Sequence, residues 1–243
     1  MQSAVNAFLG NMAEAERLQW QAQALYEAAG DLHGVAETWI ELSTTWRVMG
    51  RYLEAIDAGQ TALSVISRLE KPDALVGPAY HRLAEIYRLL GDFHRTRRFL
   101  QRAYDEEVAT GRQARAVSLL RQFGTARRLS GDPAGALAAH VRALEGLDVI
   151  TQPWRASDLH REIALDHLAL GDSAAARREM ETAWEKRQDA HGRADRYGLI
   201  ADRARVIRGD GQPALAASFL GPYWGSRDAL PAAAFLRIGH ELL

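Results

Sequence analysis

Tyr80, Leu83, Ala84 and Tyr87 fall at i, i+3, i+4 and i+7, so they share one face of a helix that ends near Gly91. The same offsets counted back from Gly50 give Trp39, Leu42, Ser43 and Trp46. Counted back from Gly131 they give Leu120, Phe123, Gly124 and Arg127, and from Gly171 His160, Ile163, Ala164 and His167. Small residues recur after each of these glycines: Ala55 and Ala62, Thr96 and Ala103, Ala136 and Ala143, Ala176 and Ala183. A face of large residues on one helix, met by small residues on the next, lets two antiparallel helices approach closely. The pattern therefore predicts a series of helical hairpins, each turning at a glycine.

The turn glycines keep a near-constant interval. Gly50, Gly91, Gly131 and Gly171 are 41, 40 and 40 residues apart, Gly209 follows 38 later, and Gly10 precedes Gly50 by 40. A second set, Gly30, Gly111 and Gly192, lies roughly midway, where the return connection is expected. Prolines sit near segment edges, as helix starts and loops require. A unit of forty residues cannot bury its apolar face alone, so the units must stack into a solenoid. Gly10 as a turn implies a short first helix before it. The face Tyr197, Ile200, Ala201, Ala204 and Ile207 is well formed, but its register to Gly209 is one residue off.

The runs "WIELSTTWRVMGRYLEAI…AL" (39–63) and "YHRLAEIYRLLGDF…RA" (80–103) resemble the tetratricopeptide repeat (TPR) family. Residues 120–143 and 160–183 share its glycine and alanine positions but not its aromatic pair. The period exceeds the family's basic length and is similar to that of kinesin light chain and of sensor regions in bacterial regulators. The resemblance implies an all-α, right-handed superhelix of about five to six antiparallel helix pairs, with a capping helix at the C-terminal end. It also implies a peptide- or protein-binding scaffold rather than an enzyme. Residues 1–243 are expected to form a single solenoid domain, with a fragment of a larger regulator or adaptor as one reading.

Composition narrows the partner. Apolar residues make up 47% of the 243, which suits a folded core, and the net charge of −1 supplies no global field for nucleic acid or anionic membrane. There is no cysteine, which removes disulfides, thiol catalysis and thiolate-bound zinc and suits a cytoplasmic protein. No apolar run is long enough to span a membrane, and the first residues lack the order of a signal peptide. The stretch "GDFHRTRRFL" concentrates His94, Arg95, Arg97 and Arg98. With Phe93, Thr96, Leu100 and Ala103 taking the packing face, those basic residues fall on the solvated side of a second helix. A nucleic-acid-associated repeat protein is the alternative they leave open, together with Arg177 and Arg178.

Candidate chemistry is sparse. His160 and His167 share a helix face, with Glu162 and Asp166 nearby, and are the one place where a helical enzyme could be sought. They occupy the aromatic positions of the better repeats, the HExxH spacing is absent, and a packing or hydrogen-bonding role is expected. Trp39 and Trp46 read as core rather than as a stacking platform. "GDGQP" lacks the strand and the Lys-Ser/Thr of a phosphate loop. Neither a metal nor a cofactor is expected.

Two positions of each first helix lie beside the packing face, three and ten residues before the turn glycine. They carry Arg47, Arg88, Arg128 and then Leu168 at one and Ile40, His81, Arg121 and Arg161 at the other, with Glu85 between. Stacked repeats would align them along a concave groove, suited to an acidic peptide segment or a free C-terminal carboxylate.

Overall fold

The computed structural model describes residues 2–71, 75–147, 152–188 and 196–224. The described residues form eleven helices and no strand: α1 (Gln2–Ala29), α2 (Leu32–Val48), α3 (Tyr52–Ile66), α4 (Val76–Leu89), α5 (Phe93–Ala109), α6 (Gln113–Leu129), α7 (Pro133–Glu145), α8 (Pro153–Ala169), α9 (Ser173–Gln188), α10 (Arg196–Gly209) and α11 (Pro213–Trp224). Their contacts divide into two compact units, Met1–Ala126 and Arg127–Leu243, with the boundary inside α6.

Each first-to-second helix turn is made the same way. Gly50, Gly91, Gly131, Gly171 and Gly211 all have φ between 74° and 83°, the left-handed conformation that only glycine adopts without strain. At Gly91 the next residue, Asp92, donates its backbone N–H to the Tyr87 carbonyl at 2.9 Å, closing α4. The Asp92 carboxylate accepts the Arg95 N–H at 2.9 Å, capping α5. Asp132 and Asp172 repeat both contacts. One Gly-Asp pair thus ends one helix and begins the next.

Two sequence expectations change here. Gly10 lies inside α1, which runs unbroken for 28 residues, so no turn precedes it. The glycine takes its helical place because its backbone is hydrogen-bonded within the helix rather than released at an end. The last turn glycine is Gly211, not Gly209, which restores a step of 40 residues from Gly171 and removes the one-residue register fault. Counted from Gly211, the position of Leu42 and Leu83 is held by Arg203, whose guanidinium lies 4.7 Å from the Trp184 ring and 4.9 Å from that of Phe219. A cation stacked on two aromatic faces can occupy a packing position that periodicity reserves for a leucine. The capping helix expected at the C-terminal end, and Gly192, lie outside the described residues.

Packing follows the small-residue rule. Ala55, Ala62, Ala103, Ala136, Ala143, Ala176 and Ala183 are fully buried, and Thr96 is 1% exposed. In the first unit Leu42 and Trp46 of α2 close on Ala55 and Ala58 of α3 and on Ile86 of α4. The Ser43 hydroxyl donates to the Ala55 carbonyl at 2.8 Å, a contact that needs the two backbones close together. Leu100 and Ala103 of α5 meet Ala84 of α4 and Leu119 and Ala126 of α6. Tyr87 stacks on Phe99 with ring centroids 5.5 Å apart. Trp39 and Trp46 pack against Trp20 of α1. In the second unit Ala164 of α8 closes on Ala176, Met180 and Ala183 of α9, with Leu199 and Val206 of α10 behind.

The buried Tyr87 sets a stability test. Tyr87→Ala deletes a side chain that is 8% exposed and stacked on Phe99. By analogy with other aromatic truncations it should cost about 3–5 kcal/mol. Urea denaturation should show the loss; a midpoint equal to that of the parent would mean that the α4–α5 contact does not depend on this ring.

Candidate functional site

The first helices are linked by polar rungs with fixed sequence steps. In the first unit His81 Nε2 of α4 lies 3.0 Å from Gln122 Oε1 of α6, a separation of 41 residues. In the second unit Arg161 Nε of α8 donates to Asp202 Oδ2 of α10 at 2.6 Å, also 41 residues on. A second rung uses a step of 38. Arg47 Nε of α2 stands 3.8 Å from Glu85 Oε2 of α4. Arg128 Nη1 of α6 stands 3.4 Å from Asp166 Oδ1 of α8. Arg128 Nη2 also donates to Glu162 Oε2 at 2.5 Å. These contacts arise because a forty-residue repeat returns the chain to nearly the same place one helix pair further along.

The expected ladder therefore divides in two. Arg128 and Arg161 have side chains only 15% and 11% exposed, and both hold carboxylates of the chain itself. Their charge is spent on binding helix to helix. Arg121 is half-buried on α6. Arg47 is half-buried and shares Glu85 with Arg82, whose Nη1 donates to it at 2.7 Å. Burial would raise the Glu85 carboxyl, but the Arg82 hydrogen bond and the charges of His81, Arg82 and Arg47 outweigh it and hold the group below the usual carboxylate range.

Arg88 differs. It is exposed, and it has no ion pair among the described residues. The step of 38 that brings Arg47 to Glu85 and Arg128 to Asp166 brings Arg88 to Ala126, and the step of 34 that brings Arg128 to Glu162 brings it to Gln122. Both are uncharged. One arginine of the series is thus left with its fork of donors facing water.

The basic stretch on α5 lies as its spacing predicts. His94, Arg95 and Arg98 are exposed and Arg97 is half-buried, while Thr96, Leu100 and Ala103 are buried. Arg95 is engaged locally, by Asp92 at 3.0 Å and over the Tyr87 ring at 5.2 Å.

The two histidines singled out from sequence are not brought to Glu162 or Asp166. His160 Nδ1 lies 2.7 Å from Glu179 Oε2 on α9. The hydrogen bond from His160 holds the Glu179 carboxyl below its ordinary range, against burial and with help from the charges of His160, His167 and Arg178. A different histidine, His140 of α7, is fully buried with Nδ1 2.5 Å from Asp166 Oδ2. Burial raises the Asp166 carboxyl, opposed by His140 and Arg128 and assisted by Glu162. Sequence reasoning missed this cluster. Its available signal was the pair of carboxylates one turn apart on α8, following Arg128 by 34 and 38 residues. Among the described residues no group of three or more histidines, aspartates and glutamates is placed to hold a metal ion. No described helix is long and apolar enough to cross a membrane.

Two outcomes follow from these pairings. Arg128→Ala takes a cation away from the buried Glu162 and Asp166 and should cost about 3–5 kcal/mol, whereas Arg88→Ala should stay within about 0.5 kcal/mol of the parent. Denaturation midpoints of the two variants check the contrast. The second outcome concerns pH. Glu179 is depressed in the folded state, so its contribution is complete above the unfolded carboxylate value and is lost as pH falls through the folded one. Glu179→Gln should therefore lose stability at neutral pH and show a shallower decline in melting temperature below about pH 4.5 than the parent.

Residues 35–106 match the tetratricopeptide repeat family model. No curated protein sequence matches the chain. Among solved structures, BtubC (BKLC) from P. vanneervenii is similar over 90% of both chains, with 18% identity and a TM-score of 0.75. A putative kinesin light chain of TPR-like repeats from Podosopora anserina is 15% identical, with a TM-score of 0.64, over 76% of this chain and 91% of its own. A Rap protein complexed with competence and sporulation factor is 14% identical, with a TM-score of 0.65; the match covers 86% of this chain and 59% of that one. Residues 35–106 are thus similar to the tetratricopeptide repeat, and the described residues have the all-α, paired-helix fold of these solved structures.

Proposed function

We propose that this protein is a non-enzymatic scaffold that binds a protein or peptide segment on the face presented by its first helices, with an acidic group of the partner on Arg88. The observation that carries this reading is the uncompensated guanidinium of Arg88, where Arg47, Arg128 and Arg161 each face a carboxylate of the chain itself. A carboxylate from a partner would complete the series in the way Glu85 and Asp166 complete their own rungs. Arg47, His81, Glu85 and Arg121 supply the polar surroundings on the same helices, and Arg128 and Arg161 hold the second unit's helices in register. The family match and the fold support a binding scaffold, since repeats of this kind present extended surfaces rather than enclosed reactive groups. The peptide complex of the similar Rap protein is consistent with this kind of partner. The setting we favour is a cytoplasmic regulator or adaptor.

An array of acidic and neutral peptides, followed by calorimetry on the best binder, tests the reading. Arg88→Glu should weaken binding by roughly tenfold to a hundredfold, the worth of about 1.5–3 kcal/mol for a charge-assisted hydrogen bond. The apparent affinity should also become less sensitive to salt. Arg97→Ala with Arg98→Ala should change little. The reverse order would move the site to the outer face of α5 and favour the nucleic-acid alternative, which a salt titration with random RNA would then examine.

A further inference from the structure

The α4–α5–α6 corner of the first unit holds a half-open cavity of about 340 Å³, at the small end of the size of small-molecule sites. Its walls include Gly77 and Arg82 from α4, Glu107 from α5, and Arg115, Ser118 and Leu119 from α6. Glu107 is the unusual member. It is 2% exposed, and a carboxylate buried to that degree must be compensated. Arg112 Nε donates a short hydrogen bond to its Oε2. Its Oε1 has no hydrogen bond among the described residues, and Arg115 Nη1 stands 3.8 Å away. Glycine at position 77 lets the carboxylate pack against α4: a Cβ there would come within 2.4 Å of Oε1. A buried carboxylate that lines the cavity thus keeps one acceptor without a hydrogen bond among the described residues.

We propose that this cavity binds a free amino acid, or a zwitterion of that size, through its ammonium group at Glu107 Oε1 and its carboxylate at Arg115 and Arg82. The charge count favours a zwitterion over a simple cation or anion. Arg112, Arg115 and Glu107 carry a net charge of +1, so a lone cation would add to an existing excess. A lone anion would satisfy the arginines but leave Oε1 without a donor. A zwitterion exchanges partners: its ammonium replaces Arg115 at Oε1, and the released guanidinium takes its carboxylate. Arg115 can make that exchange at little cost, because its side chain is 62% exposed and its contact with Glu107 is loose. Arg82 at the wall keeps Nη1 on Glu85 and offers only its remaining donors, and the Ser118 hydroxyl adds a neutral donor. Leu119 leaves part of the wall apolar, which selects for an aliphatic over a charged side chain. This site does not depend on the peptide reading, since Arg88 takes no part in it.

Thermal shift and calorimetry with each of the standard free amino acids at millimolar concentration test the proposal. At least one aliphatic amino acid should raise the melting temperature and bind saturably. Its N-acetyl derivative, which lacks the ammonium, and its amide, which lacks the carboxylate, should each bind at least about tenfold more weakly. Arg115→Ala, at an exposed position, should fold normally and lose about tenfold in affinity, and Glu107→Gln should lose more. Gly77→Ala should abolish binding; if it fails to fold, the Arg115 variant decides. Absence of binding by every amino acid, or equal binding of the N-acetyl derivative, overturns the proposal. Neither result bears on Arg88, whose role is read from peptide binding alone.

Discussion

The close approach of antiparallel helices through small residues is the constraint on which this structure rests. Five and twelve residues beyond each of four turn glycines stands an alanine or threonine with almost no exposed surface. A larger side chain at any of these positions would force the helices apart. The Ser43 hydroxyl would then lose the Ala55 carbonyl, and Leu42 and Trp46 would lose their seat against α3 and α4. The turn has to return the chain at the matching angle, and after Gly91, Gly131 and Gly171 a Gly-Asp pair does so with one glycine in the left-handed conformation and one side-chain cap. Close packing and turn geometry together fix the forty-residue step.

That step also organises the charges. Repeating the same path places each first helix beside the next in a constant register, so a residue meets partners 34, 38 or 41 positions later. Where those partners are carboxylates, as for Arg128 and Arg161, the arginine becomes an internal strut. Where they are alanine and glutamine, as for Arg88, it stays available. Paired and unpaired arginines are therefore chemically alike and sit at equivalent positions. The residue one repeat further along separates them.

Much of this was legible in the sequence. The offsets before Gly50 and Gly91 and the alanines after them specified the helix pairs, because helical periodicity and the glycine requirement at φ > 0 are local properties. The buried face of α5 and its outward basic residues were equally readable. Gly10 misled because spacing alone cannot distinguish a glycine in a helix from one that ends it. Gly209 misled because two glycines lie two residues apart, and the chain places the positive φ at the second. Arg203 broke the apolar pattern at its position because Trp184 and Phe219 offer it ring faces that no local window contains.

What the sequence determined by itself was the repeating unit: helix, glycine turn, helix, with a face that must be covered. What only the tertiary structure decided was which polar groups find one another. His140 and Asp166 are 26 residues apart and Arg161 and Asp202 are 41. Glu107 packs its carboxylate against a glycine thirty residues earlier. Backbone periodicity is set by neighbours within a turn or two of helix, whereas desolvation and ion pairing depend on everything within a few ångströms in space. For that reason the architecture could be read along the chain, and the difference between Arg88 and Arg128 could not.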